Sequence, residues 1–297
     1  MPLVWVIWLI IGAVMGSFLN VCIYRLPREQ SIVRPRSHCP HCQHLIAWYD
    51  NIPILSYVVL GGRCRHCRAG IHWRYPLVEA LSALAAVAVL ARFGLGAQGI
   101  VYLVLIWALL AASFIDLDFQ IIPDEISLGG LAVGLLISPL VPQLHGTDQA
   151  LTALTRSFVG ALVGSGVLYA TGTIGNWMLL GLRHLGVQLR HRPFWRKALA
   201  RYRHMRDTMG GGDVKLLAMA GSVLGWKLVL LTFLLAPVVA ILPGLIVLCL
   251  HRSNVIPYGP FLSLGLVVSM FWGEEIIAMT GIASIAEMFW IYYGWGV

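Results

Sequence analysis

Ile100-Val-Tyr-Leu-Val-Leu-Ile-Trp-Ala-Leu-Leu-Ala-Ala-Ser-Phe-Ile-Asp116-Leu-Asp-Phe-Gln-Ile-Ile-Pro-Asp124 is the stretch that decides how this chain is read. From Ile100 to Ile115 no side chain is charged, and a carboxylate stands where the apolar run stops. A second carboxylate mirrors it, because Gly210-Gly-Gly-Asp213 leads directly into the apolar run Val214 to Leu224. An ionisable group at the end of a membrane helix is costly to place and by default marks function. Two that can meet would form a carboxylate dyad, one member ionised and one protonated, which is a device for activating water.

That reading requires a membrane, and the composition supplies one. The chain is 59% hydrophobic and 11% charged, with a mean hydropathy of +0.80, outside the range of soluble domains. The expected fold class is an all-α polytopic membrane protein. Apolar stretches near 3–23, 76–92, 98–115, 122–142, 157–182, 214–226, 228–250 and 257–280 suggest about eight transmembrane helices, judged against the ~17–25 residues that cross a bilayer. The sixth is short. The apolar, aromatic tail 281–297 is expected at an interface. No basic stretch precedes the first apolar run, so that run reads as a retained span and not as a cleaved signal peptide.

Charge placement sets the orientation. Of 21 Lys and Arg, eight lie in 25–74 and eight in 183–206, two loops separated by four spans. Parity puts both loops on one side, and the positive-inside rule makes that side cytoplasmic. Counting onward places the Asp116 and Asp213 turns at the same face. The net charge of +8 needs no nucleic-acid partner, since 16 of the 21 basic residues sit in these two loops and membrane lipid headgroups suffice as neighbours.

The first of these loops holds Cys39-Pro-His-Cys42 and Cys64-Arg-His-Cys67, two C-x2-C pairs with 21 residues between them. Four thiolates in two such knuckles match a structural tetrahedral zinc site of the zinc-ribbon kind. Disulfides are disfavoured in a reducing compartment, and soft thiolates favour zinc over magnesium or calcium. Cys22 and Cys249 read as packing residues of the spans. The expected organisation is a first transmembrane helix (1–23), a four-cysteine loop (24–75) and a membrane core (76–297) with a basic loop at 183–209.

Singly, Asp116, Asp118 or Asp213 could be a helix cap. Three consecutive glycines before Asp213 are harder to explain as a cap. Without Cβ atoms they permit a tight turn and the close approach of a substrate strand.

In several segments the chain resembles the type IV prepilin peptidases, the bifunctional leader peptidase/N-methyltransferases. The shared residues include Gly16-Ser-Phe-Leu-Asn-Val21, Arg25-Leu-Pro27, the four cysteines, Asn51-Ile-Pro53 and Ser56-Tyr57. Arg74-Tyr-Pro-Leu-Val-Glu79, Asp116-Leu-Asp with Ile122-Pro-Asp124, and Gly210 to Asp213 with Val214-Lys215-Leu216 complete the set, covering about residues 10 to 225. The resemblance implies Asp116 and Asp213 as the catalytic pair. It also implies cleavage of prepilins or pseudopilins after a glycine, and methylation of the new amine with S-adenosylmethionine as donor, at the cytoplasmic face of the bacterial inner membrane. The stretch Leu182 to Met209 is longer than the family usually shows.

No glycine-rich nucleotide fold is legible. A methyl donor would therefore use the first loop and the adjoining helix ends, where Asn20, Arg25, Asn51, Ser56, Gly62, Arg63, Arg74 and Glu79 are the candidates. Two rival readings stand beside this one: a peptidase lacking methyl transfer, and a non-enzymatic zinc-bearing scaffold of a secretion or pilus assembly.

Overall fold

The computed structural model describes residues 2–188, 210–251 and 257–280. Among them no strand forms. The chain builds helices α1 (Pro2–Arg25), α2 (Leu55–Val59), α3 (Arg74–Phe93), α4 (Ala97–Phe119), α5 (Asp124–Ile137), α6 (Ala150–Gln188), α7 (Gly211–His251) and α8 (Gly259–Thr280). Among the described residues, six helical segments are long and apolar enough to cross a membrane, namely α1, α3, α4, α6 up to Met178, α7 up to Ile241, and α8.

The difference from about eight spans has two sources. The expected span 122–142 contains α5, only 14 residues long but continued by hydrogen-bonded turns to Val141. The expected pair 214–226 and 228–250 forms the two helical parts of α7, which meet where Gly225 adopts φ 78°, ψ 170° and are counted above as one segment. The expected interfacial tail 281–297 and nearly all of the basic loop 183–209 lie outside the described residues.

Two compact units divide the chain. The first comprises Met1–Ile126 and Ala240–Val267. Its helices α1 and α3 pack backbone to backbone. A Cβ on Gly12 would lie 2.6 Å from the Ala83 Cα, and one on Gly16 would lie 2.5 Å from the Glu79 Cα. Small residues four apart give membrane helices this close approach. The Ser82 hydroxyl seals the contact by donating to the Gly12 carbonyl. Below it, Leu19, Ile23, Val78, Ala111 and Ile115 join α1, α3 and α4 in one apolar cluster. Gly94 (φ 72°) ends α3, and its N–H caps the Leu90 carbonyl. Gln120 (φ 55°) ends α4 by the same device on Asp116.

The second unit comprises Ser127–Val239 and Val268–Val297. Its helices meet through glycines as well: Gly134 of α5 against Ser222, and Gly160 of α6 against Gly221 of α7, where neither position has room for a Cβ. The break at Gly225 strands carbonyls of the preceding turn, and the Ser157 hydroxyl satisfies that of Ser222 at 2.6 Å.

Candidate active site and metal centre

The loop between α1 and α3 folds around its cysteines. Each C-x2-C pair forms the same turn. Cys39 N–H donates to the His44 carbonyl and Gln43 N–H donates back to Cys39 at 2.9 Å; in the second knuckle Cys64 bonds to Ala69 and Arg68 to Cys64 at 2.8 and 3.0 Å. Gln43 and Arg68, each following a second cysteine, both sit at φ 59°. The four sulfurs lie within 4.8 Å of one another. Cys39 and Cys67 Sγ are 3.8 Å apart, matching the edge of about 3.8 Å expected for a tetrahedron with Zn–S bonds of ~2.3 Å.

The electrostatics fit a cation. The backbone amides of Cys67 and then His66 draw the Cys64 thiol down to about 7. The Ala69 amide acts likewise on Cys67, but burial and the neighbouring Cys42, Cys64 and Cys39 sulfurs outweigh it and push that thiol up to about 11. Four thiolates this close cannot all ionise without a positive centre between them. Cys39, Cys42, Cys64 and Cys67 therefore make a group that could hold a metal ion.

Several residues that the sequence offers as candidates for the methyl donor lie in or against this loop. Buried Arg25 donates to the Ser31 and Pro35 carbonyls at 2.8 and 2.7 Å. Ser56 accepts from Ile52 N–H and donates to the Tyr49 carbonyl. Glu79, buried in α3, accepts the N–H of Ile54 at 2.7 Å, and Ile54 holds φ 62°, a costly conformation for a β-branched residue. Gly62, at φ 66°, lies under the Tyr57 ring. Arg63 pairs with Gly70 in the second knuckle. Asn51 ends an exposed 3-10 turn, Trp48–Asn51.

Asn20 and Arg74 are placed differently. They line a cleft of about 180 Å³ in the first unit, together with Tyr24 and Arg28 beyond Asn20, Tyr75 of α3, and Asp118 of α4. Asn20 Nδ2 donates to the Tyr75 carbonyl at 3.0 Å, and Arg74 forms an ion pair with Asp118.

The two aspartates of the Asp116-Leu-Asp118 turn thus separate. Asp118 is 36% exposed at its side chain and tied to Arg74. Asp116 is 7% exposed and its Oδ2 accepts the N–H of Gly259 at 2.9 Å. Gly259 begins α8, so the amide end of a helix points at this carboxylate. A Cβ on Gly259 would stand 2.7 Å from Oδ2. Gly259 is a site residue that sequence reading misses, and its one local sign is the Gly-Pro start of an apolar run.

Asp213 lies in the second unit, in the first turn of α7. Its N–H reaches the Gly210 carbonyl at 3.2 Å. Its carboxylate folds over Gly210, where a Cβ would stand 2.9 Å from Oδ2. The first glycine of the triplet therefore makes room for the carboxylate itself.

Known proteins match this chain along most of its length. The profile described as Bacterial Peptidase A24 N-terminal domain covers residues 10–93, and that described as Type IV leader peptidase family covers 103–245. A prepilin leader peptidase/N-methyltransferase of Stutzerimonas stutzeri is 34% identical over 91% of both chains. Proteins of the same name from Aeromonas hydrophila and Legionella pneumophila are 35% identical over 88% of both chains, and 32% identical over 92% of this chain and 94% of theirs. No solved structure matches. With the apolar helices, these likenesses identify a multi-pass membrane protein, and the chain belongs to the type IV leader peptidase family.

Proposed function

We propose that this chain removes the leader from type IV prepilins or pseudopilins and methylates the amine it exposes. The observation that carries the reading is that each aspartate at a membrane helix end is seated against a glycine: Asp116 on Gly259 and Asp213 on Gly210, in a chain 34% identical to a prepilin leader peptidase/N-methyltransferase over 91% of its length.

In this reading Asp116 and Asp213 act as one dyad. The ionised member takes a proton from water as the water oxygen attacks the scissile carbonyl. The protonated member donates toward the substrate, and collapse of the tetrahedral species releases the leader carboxylate and a new amine. Like charges brought close hold such a pair in its mixed state. Segment 1–23 anchors the chain, 24–75 is the metal-bearing loop, and 76–297 forms the peptidase core. Zinc held by Cys39, Cys42, Cys64 and Cys67 supplies folding energy to a loop with little apolar core. S-adenosylmethionine supplies an electrophilic methyl group to the deprotonated amine. The sixteen basic residues of the two loops favour a bacterial inner-membrane protein with its dyad at the cytoplasmic face.

The test is mass spectrometry of a prepilin incubated with purified enzyme and S-adenosylmethionine, wild type beside Asp213→Ala. Loss of the leader plus one methyl group in the wild type alone is expected. Cleavage without methylation reduces the activity to that of a peptidase. An untouched substrate with folded enzyme supports a scaffold.

A further inference from the structure

We propose that the cleft between Tyr24, Arg28, Arg74 and Asp118 binds the amino-acid end of the methyl donor; this rests on the methyltransferase reading above and gives that reaction a place in the fold. S-adenosylmethionine presents an α-carboxylate, an α-ammonium, a sulfonium cation and a flat adenine. The cleft offers a partner for each.

Arg28 is the partner for the carboxylate. Its guanidinium lies 4.1 Å from the Tyr24 ring centroid and 4.9 Å from that of Phe119, and one of its N–H groups donates to the Tyr24 carbonyl. Clamped between two rings, it is oriented before any ligand arrives, which lowers the ordering cost of binding. The ammonium meets Asp118. Arg74 bonds one oxygen of that carboxylate and is itself stacked over Phe114 at 5.4 Å, so Asp118 is aimed and not mobile. The second carboxylate oxygen can still accept a hydrogen bond. Tyr24 and Tyr75 are 46% and 42% exposed, and their faces suit both a sulfonium and an adenine ring.

Size sets which part of the donor enters. About 180 Å³ is less than the ~300 Å³ at the lower end of pockets for drug-sized ligands. The amino-acid end fits inside, and the adenosyl group lies across the aromatic rim. Arg25, Ser56 and Glu79 hold loop backbone in this structure and do not line the cleft. A lipid phosphate is the competing anion for two guanidiniums at a membrane edge, but it has no use for a carboxylate or for two exposed tyrosine faces.

The experiment measures S-adenosylhomocysteine binding to full-length protein in neutral detergent by calorimetry, for wild type, Arg28→Gln and Tyr24→Phe/Arg28→Gln. Zinc content and melting temperature serve as folding checks. Affinity should fall roughly tenfold or more in Arg28→Gln, the loss expected for a charge-assisted bond. Wild-type affinity in the variants overturns the proposal. Wild-type protein that cleaves prepilin but binds no S-adenosylhomocysteine overturns the methyltransferase reading itself. Should the variants fail to fold, photocrosslinking of labelled S-adenosylmethionine to wild type decides: label on the peptides bearing Tyr24 or Tyr75 supports the cleft, and label elsewhere overturns it. Heat from phosphatidylglycerol that Arg28→Gln abolishes, with none from S-adenosylhomocysteine, overturns the proposal and assigns the cleft to lipid.

Discussion

Gly259 N–H donates to Asp116 Oδ2 at 2.9 Å across 143 residues of sequence, and this bond distinguishes Asp116 from its neighbour Asp118. The first carboxylate is buried and held by the amide end of a helix. The second is exposed and paired with a guanidinium. Asp116→Asn should therefore abolish leader cleavage without preventing membrane insertion, whereas Asp118→Asn should retain cleavage at least in part. Cleavage assays on membranes normalised for enzyme content separate the two. Normal processing by Asp116→Asn would remove it from the dyad.

The glycines that seat the two aspartates make a sharper prediction. A Cβ at Gly259 would press on Oδ2 of Asp116 at 2.7 Å, and one at Gly210 on Oδ2 of Asp213 at 2.9 Å. Neither glycine has a positive φ, so alanine changes space and not backbone preference. Each alanine variant should lower kcat for cleavage by roughly a hundredfold, since misplacing a reacting group by an ångström costs about that much, while melting temperature shifts little. Gly211→Ala, whose Cβ would meet nothing within 4 Å, is the control. Equal kcat in all three would detach the glycines from the chemistry.

Much of this arrangement is legible in the residues themselves, and the remainder fails to be for identifiable reasons. The ends of apolar runs locate Asp116 and Asp213, and C-x2-C spacing locates the metal group. Gly259 is invisible because its meaning is a contact between distant segments. Arg25 and Arg74 look alike as basic residues at span ends, yet one grips carbonyls and the other a carboxylate; no local pattern records which. The break at Gly225 lies next to the expected boundary between the stretches 214–226 and 228–250, where Trp226 and Lys227 interrupt the apolar run.

Removal of the metal is expected to unfold the loop and leave the helices. Wild-type protein should carry about one zinc per chain by elemental analysis, the stoichiometry of a site built from four cysteines, and Cys39→Ser or Cys64→Ser should lose it. Limited proteolysis should then cut between Arg28 and Arg74, while α1, α3 and α4 stay joined by the Gly12 and Gly16 contacts. Full zinc binding by both serine variants would show that the four sulfurs are not the ligands.

Acid should weaken the second unit through His145. Burial, more than any neighbour, pushes this imidazole below its ordinary range; a hydrogen bond to the Ser222 backbone opposes the shift, and the Arg156 charge adds to it. Its Nε2 is buried without a partner, so a proton there would be a charge with nothing to receive it. The folded chain therefore prefers the neutral ring, and the unfolded chain takes up the proton first as pH falls through about 6.5. The stabilisation is complete above that pH and is lost progressively toward the lower folded value, below which it levels off. Melting temperature in detergent should drop between pH 7.5 and pH 5.5 in the wild type and drop less in His145→Asn. An equal slope in the two proteins would assign the acid sensitivity to other groups.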